Sequence, residues 1–124
     1  MAGRGAVLVV DDDEAILDLV RMTLEIEEYK VVLARHGGEA LGLLASAVPG
    51  LILLDMQMPV VDGWAFAKAY RRSSDVWAPI VVMSAGKSVA EVARQLGANG
   101  YIAKPFDLEE LTALVGKHIR NGSI

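Results

Sequence analysis

The sequence predicts an α/β domain: a doubly wound, five-stranded parallel sheet with helices on both faces. Three observations lead there. Short β-branched apolar runs alternate with stretches of helical periodicity, the order expected when helices connect parallel strands. The runs at residues 6–10, 51–54 and 79–83 are apolar without alternation, as strands buried on both faces must be. Polar, chemistry-bearing residues stand where these runs end: Asp11-Asp12, Asp55, Ser84 and, after a fifth run, Lys104. In a doubly wound sheet the C-terminal strand ends share one crevice near the switch in strand order.

The elements follow in order. Residues 6–10 (AVLVV) form the first strand, which stops at Asp11-Asp12-Asp13. Ile16, Leu19, Val20, Thr23 and Leu24 then recur at helical spacing. A helix therefore opens after the acids, with Asp13 as its N-cap, and residues 25–28 close it. Residues 30–34 are the second strand, His36-Gly37-Gly38 a turn, and residues 39–47 a helix ended near Pro49-Gly50. Residues 51–55 are the third strand, and residues 59–63 turn the chain away. The next helix covers residues 64–72, with Trp64, Ala67 and either Tyr70 or the stem of Arg71 inward; residues 73–75 are a loop. The fourth strand, residues 79–83, ends at Ser84-Ala85-Gly86. Ser88 and Glu91 have the form of a capping box ahead of a narrow apolar stripe, Val89, Val92, Ala93 and Leu96. Gly97 stops that helix and Asn99-Gly100 turns. Residues 101–103 are the fifth strand, broken by Lys104-Pro105. A second capping-box pattern, residues 107–110, opens a last helix with Leu108, Leu111, Val115 and Ile119 inward. The expectation is one domain over residues 1–124, core about 6–120, with right-handed crossovers.

Composition narrows the functional classes. A content of 53% hydrophobic and 23% charged residues in 124 is that of a globular chain able to bury a core without staples. Cysteine is absent, which removes disulfide and thiol chemistry, and two histidines without cysteine make no zinc site. A formal charge of −4 argues against direct nucleic-acid binding and against anionic membranes. No apolar run approaches the roughly 18 residues of a membrane span. The start, MAGRGAVLVV, enters a strand pattern directly, so a cytoplasmic location is expected.

Asp55 follows four apolar residues, and a charge there belongs at the strand's mouth, since a core cannot hide it. That placement makes it a candidate nucleophile for a phosphoryl group. Three carboxylates gathered at neighbouring strand ends repel one another, and a hard divalent cation, Mg²⁺ or Mn²⁺, resolves the repulsion. A lysine beside them neutralises transferring oxygens, and a serine hydroxyl donates to the same group. Taken singly, each residue has a plainer reading. Asp11 to Asp13 could decorate a helix N-terminus, Ser84 could be a strand-end hydroxyl, and Lys104 could be solvated. Their joint arrival at strand ends is what argues for a site. Asp62-Gly63 reads as a turn and helix start, Met56, Met58, Trp64 and Trp77 as packing, and His36 and His118 as surface or helix-end residues. Gly86-Lys87-Ser88 imitates the end of a phosphate-binding loop, but the earlier glycine of that motif would fall at Val81, inside a strand.

Four segments, VLVVDDDEAI, LILLDMQMPVVDG, VVMSA and GYIAKPF, carry a more specific likeness. In this order, and over essentially the whole length, the chain resembles a response-regulator receiver domain of bacterial-type two-component signalling. The resemblance implies a chemotaxis-regulator-like, flavodoxin-like sheet of order 2-1-3-4-5. It implies that Asp55 is the phosphoacceptor, with Asp11 and Asp12 the acidic pair that organises Mg²⁺ and Gln57 a metal ligand through its backbone carbonyl. Ser84 matches the switch hydroxyl, Lys104 the lysine that contacts the phosphoryl group, and Tyr101 the aromatic that changes rotamer. A cis bond before Pro105 often accompanies the pattern. The implied activity is Mg²⁺-dependent phosphoryl transfer from a sensor histidine kinase or phosphotransfer protein, with autodephosphorylation, rather than turnover of a generic substrate. The implied readout is a remodelled surface of the fourth helix, fifth strand and fifth helix. That surface would serve a downstream protein, an output domain or a homodimer.

The chain departs from commoner members at Gln57, long and polar beside the attack path, and at Gly86, which leaves the opposite flank without a side chain. Both positions are expected to tune phosphoryl lifetime. Two rival readings stand beside this one. An aspartyl phosphatase of the haloacid-dehalogenase kind needs a second Asp two residues on, where Gln57 stands. A pseudo-receiver acting only in protein interaction would be expected to lack part of the acid, hydroxyl and lysine set.

Overall fold

The computed structural model describes residues 5–58, 62–74, 76–86 and 88–120. Five strand–helix units follow one another: β1 (Ala6–Val10), α1 (Glu14–Ile26), β2 (Lys30–Ala34), α2 (Gly37–Leu44), β3 (Leu51–Asp55), α3 (Gly63–Ser73), β4 (Ile80–Ala85), α4 (Val89–Leu96), β5 (Gly100–Lys104) and α5 (Leu108–His118). The strands form one parallel sheet in the order β2-β1-β3-β4-β5, as expected. The order reverses between β1 and β3, so the crevice above their ends opens beside Asp11 and Asp55.

Strand periodicity sorts the apolar side chains between two layers. Val7, Val9, Leu51, Leu53, Val81, Met83 and Ile102 face α1 and α5, meeting Leu17, Val20, Leu24, Leu111 and Val115. Leu8, Val10, Ile52, Leu54, Ile80 and Val82 face α2, α3 and α4, meeting Ala40, Phe66, Ala67, Tyr70, Val89, Ala93 and Leu96. Every residue of β1 and β3 is buried, which explains why those strands read as unbroken apolar runs. The edge strand β2 is only partly buried.

Several sequence expectations are corrected by the packing. In α1 the buried stripe is Leu17, Val20 and Leu24, while Leu19 is exposed. In α3 the inward residues are Phe66, Ala67 and Tyr70, and the Phe66 and Tyr70 rings lie 6.0 Å apart and nearly parallel. Trp64 points outward instead, as does Trp77 in the following loop. Leu108 is likewise exposed, whereas Leu111 and Val115 are buried and Ile119 packs against them. Helix α2 opens two residues before Glu39 because the His36 Nδ1 accepts from the Glu39 amide, and it ends at Leu44 rather than Ala47. The capping box at Ser88 does not form: Ser88 makes no side-chain cap bond, and Glu91 is engaged by Arg94 and Gln95. Asp13, Asp62 and Asp107 do cap, each accepting from backbone amides of the first turn. Gly97 ends α4 in the left-handed conformation. Of the turn expected at residues 59–63, residues 59–61 lie outside the described residues, as do Asp75 and Lys87.

Candidate functional site: an acidic crevice closed by a lysine

Four strands deliver the site. Asp11 directly follows β1, and its amide donates to the Ala34 carbonyl of β2 at 3.0 Å, which fixes the turn out of the strand. Asp55 is the last residue of β3, Ser84 the penultimate residue of β4, and Lys104 the last of β5. Parallel register sets them at one level, since Asp55 lies opposite Met83 and Lys104 opposite Ala85.

Carboxylate oxygens of Asp11, Asp12 and Asp55 all lie within 4.8 Å of one another. Asp11 is fully buried and Asp55 is 3% exposed, more enclosed than a residue at a strand's mouth was expected to be, while Asp12 reaches solvent. The compensation for that enclosure is Lys104. Its Nζ donates to Asp11 Oδ2 at 2.7 Å and stands 3.4 Å from Asp55 Oδ1. Asp11 Oδ1 accepts from the Asp13 amide at 2.9 Å, and Asp55 Oδ1 from the Gln57 amide at 3.4 Å. Lone pairs are thus partly satisfied, but one ammonium faces three carboxylates.

The electrostatics register this imbalance. Burial, and then the neighbouring charge of Asp11, push the Asp55 carboxyl up to about 6, although Lys104 and the Gln57 amide pull the other way. Burial works to lower the Lys104 ammonium, but its hydrogen bond to Asp11 and the charges of Asp11 and Asp55 outweigh that and raise it. A crowded, partly desolvated acid cluster open on the Asp12 side is what a hard divalent ion relieves. The residues present therefore fit such an ion, with Asp11, Asp12 and Asp55 as the carboxylates that would hold it.

The remaining candidates surround this cluster. Ser84 is 5% exposed, and its hydroxyl donates to its neighbour's carbonyl, Ala85 O, at 3.2 Å. The Gln57 side chain is exposed. Gly86 has φ +107°, so a glycine there serves the backbone turn and does more than leave an open flank. The Lys104–Pro105 peptide bond is cis. Tyr101 is 48% exposed and so lies outward, not in the core. Sequence reading brought Lys104 to the crevice but missed its pairing with Asp11, 93 positions away. A single lysine among three strand-end acids was the available signal.

The comparisons with known proteins agree with this geometry. The model of the response regulator receiver domain family matches residues 7–116, and the chain belongs to that family. It is thus a receiver domain of two-component response regulators, with an aspartate pocket at the strand ends. Among its relatives is the response regulator MprA of Mycolicibacterium vanbaalenii, 44% identical over 109 residues, covering 86% of this chain and 47% of that protein. MprA of Mycobacterium avium is 43% identical over 109 residues with the same coverage. The chain spans about half the length of the curated relatives it matches. Among solved structures, the chemotaxis protein CheY4 of Vibrio cholerae superposes with a TM-score of 0.85 at 32% identity, covering 94% of this chain and 100% of that one. TrrA of Thermotoga maritima, crystallised in complex with Mg²⁺–BeF, has a TM-score of 0.82 at 30% identity and the same coverage.

Proposed function

We propose that Asp55 accepts a phosphoryl group from the phosphohistidine of a sensor histidine kinase or phosphotransfer protein. One observation carries this reading: three carboxylates and a lysine meet at the strand ends of a receiver domain, with Asp55 at the end of the central strand. In the transfer, a carboxylate oxygen of Asp55 attacks phosphorus in line. The new O–P bond forms as the P–N bond to the imidazole breaks, and the imidazole leaves with a proton. Lys104 is placed to neutralise charge on the equatorial oxygens, and the Ser84 hydroxyl to turn from the Ala85 carbonyl and donate to one of them. Asp11, Asp12, Asp55 and the Gln57 carbonyl would hold Mg²⁺ or Mn²⁺, which supplies charge neutralisation for the same oxygens. The Mg²⁺–BeF complex of TrrA supports that assignment by family likeness.

Water then hydrolyses the acyl phosphate. Gln57, exposed beside Asp55, and Gly86 set how readily water reaches it. The role is that of a phosphoacceptor with intrinsic autophosphorylation and autodephosphorylation, not of an enzyme with a separate substrate. Phosphorylation draws Ser84 and Lys104 together, lets Tyr101 turn inward and alters the α4–β5–α5 surface. That surface then engages a downstream protein, an output domain or a second copy. No helix among the described residues is long and apolar enough to cross a membrane, and a cytoplasmic setting suits this chemistry.

Incubation with acetyl phosphate and Mg²⁺ tests the reading. A mass gain of one phosphoryl group, absent in Asp55→Asn, is expected. Inertness would favour a pseudo-receiver acting in protein interaction alone, and rapid turnover of generic phosphomonoesters an aspartyl phosphatase of the haloacid-dehalogenase kind. Gln57→Ala is expected to change the decay rate of the phosphoprotein several-fold, and an unchanged rate removes Gln57 from that role.

A further inference from the structure

Outside the crevice the balance of charge differs between the two helical layers: carboxylates outnumber cations on α1 and α5 together, and cations outnumber carboxylates on α3 and α4 together. On the α2–α3–α4 side a groove of about 500 Å³ is lined by Trp64, Lys68, Arg71, Arg72, Trp77 and Leu96, among others, and among the described residues its lining includes no carboxylate. Trp64 and Trp77 are 40% and 47% exposed, large apolar surfaces for a soluble face. Two residues of the wall, Trp77 and Arg71, are held in place. The Trp77 indole N–H donates to the Ser74 carbonyl at 2.6 Å. The Arg71 guanidinium lies 5.8 Å from the Trp77 ring centre and donates to the Leu96 and Gly97 carbonyls at the end of α4. Lys68 and Arg72 remain exposed on the same helix, and no ion pair among the described residues engages them.

The α1–α5 side is the complement. Ile26 is 78% exposed, Met22 60% and Leu108 38%. Exposed carboxylates flank these aliphatics: Glu25 and Glu28 at the end of α1, and Asp107, Glu109 and Glu110 at the start of α5. The two segments meet in space, because one shallow pocket is lined by Thr23 of α1 together with Leu108, Glu109 and Thr112 of α5. One molecule thus presents exposed aliphatics flanked mainly by acids on one layer, and two exposed tryptophans, Trp77 of them pinned, flanked mainly by cations on the other. The sheet separates the two, so they cannot meet within a molecule.

We propose that the α3–α4 groove docks the acidic α1–α5 face of a second copy of this chain, head to tail. The pairing joins unlike surfaces, so it is heterologous: it leaves one face of each kind free on every open assembly and is satisfied completely only in a ring. It differs in surface and symmetry from a dimer through α4–β5–α5, and it stands independently of phosphorylation at Asp55. Tryptophan and arginine are the residues that most often anchor interfaces, and the hydrogen bonds that hold Trp77 and Arg71 reduce the ordering cost of docking.

Sedimentation of the purified chain over a concentration series tests this, with Lys68→Glu/Arg72→Glu closing the groove and Ile26→Ser/Leu108→Ser closing the opposite face. All four positions are exposed, and unchanged melting temperatures will establish that the variants fold. The wild type is expected to grow in mass with concentration, without a plateau at the dimer. The association is expected to be lost near 1 M salt, where the Debye length shrinks to about 3 Å. Each variant alone is expected to stay monomeric. An equimolar mixture of the two is expected to form one-to-one pairs and nothing larger, since one intact groove meets one intact acidic face. A wild type monomeric throughout overturns the proposal. Association that survives in either variant, or a mixture that fails to pair, overturns it as well.

Discussion

At the scale of single residues the crevice is a balance of unfavourable charge. Asp55 is nearly buried, and its carboxyl is raised to about 6 from an ordinary value of 3.8, first by burial and then by Asp11. An acid whose folded value lies above its unfolded one favours folding only while protonated. Its contribution is fully present below about pH 4 and is lost as pH rises through about 6. At neutral pH without divalent ions, ionised Asp55 therefore destabilises the fold. Asp55→Asn is expected to stabilise the metal-free protein by about 1–3 kcal/mol at pH 7, from a shift of roughly two pK units at 1.36 kcal/mol each. The gain should shrink towards pH 4, and it should also shrink when millimolar Mg²⁺ offsets the charge in the wild type. Urea denaturation at several pH values measures this. A loss of stability in the variant at pH 7 would mean that the hydrogen bonds to Lys104 and Gln57 outweigh desolvation.

At the scale of elements, backbone requirements explain both what the sequence made legible and what it did not. The strands were legible because burial on both faces forces continuous apolar runs, and β1 and β3 were read to their terminal residues. Asp55 was legible for the same reason, since nothing in core packing calls for a charge after four apolar residues, and Ser84 and Lys104 became legible only through their shared place at strand ends. Helix faces were harder. In α1 and α3 apolar residues surround much of the helix, so Leu19 and Trp64 fitted the helical period as well as Leu17 and Phe66, and only the sheet decides between them. Ser88 carried the capping pattern, but Glu91 found Arg94 and Gln95 instead, a competition that residue spacing does not reveal. The end of α1 was legible in place, at residues 25–28, but its backbone conformation was not. Glu28 takes φ +70°, with the Glu28 amide bonded to the Glu25 carbonyl and the Tyr29 amide to the Leu24 carbonyl, the paired bonds that usually select glycine. Glu28→Gly is expected to raise stability by about 0.5 kcal/mol, the relief of left-handed strain less the entropy glycine adds to the unfolded chain. Gly63 gives the opposite case. A Cβ there would stand 2.8 Å from the Met56 Cα and closer still to its sulfur, so Gly63→Ala must displace the residue next to Asp55. That variant is expected to lose about 1–3 kcal/mol and to accept phosphoryl groups more slowly. Thermal melts and acetyl phosphate labelling of the two variants check both signs.

At the scale of the whole molecule, the proposed switch needs a route from Asp55 to a surface, and the sheet provides a short one. Ser84 lies opposite Ala103 on β5, and Tyr101 lies opposite Val82, so the end of β4 and the middle of β5 share a ladder. A Ser84 hydroxyl drawn from the Ala85 carbonyl towards a phosphoryl group empties space beside that ladder. An inward Tyr101 ring can fill it. The structure has the ring outward, and Tyr29 and Tyr70, the other two tyrosines, are 3% and 2% exposed, so the three report on the switch separately. Moving a population from about 1:99 to 99:1 requires roughly 5.5 kcal/mol of differential stabilisation, within reach of several charge-assisted hydrogen bonds. With 3-fluorotyrosine incorporated, the Tyr101 resonance is expected to lose its sensitivity to solvent isotope on addition of Mg²⁺ and beryllofluoride, while the other two hold still. Ser84→Ala is expected to bind beryllofluoride yet leave Tyr101 outward. A Tyr101 signal that turns inward in Ser84→Ala as fully as in the wild type would break the proposed link between the β4 hydroxyl and β5. One that never moves in the wild type would remove Tyr101 from the switch while leaving Asp55 as acceptor.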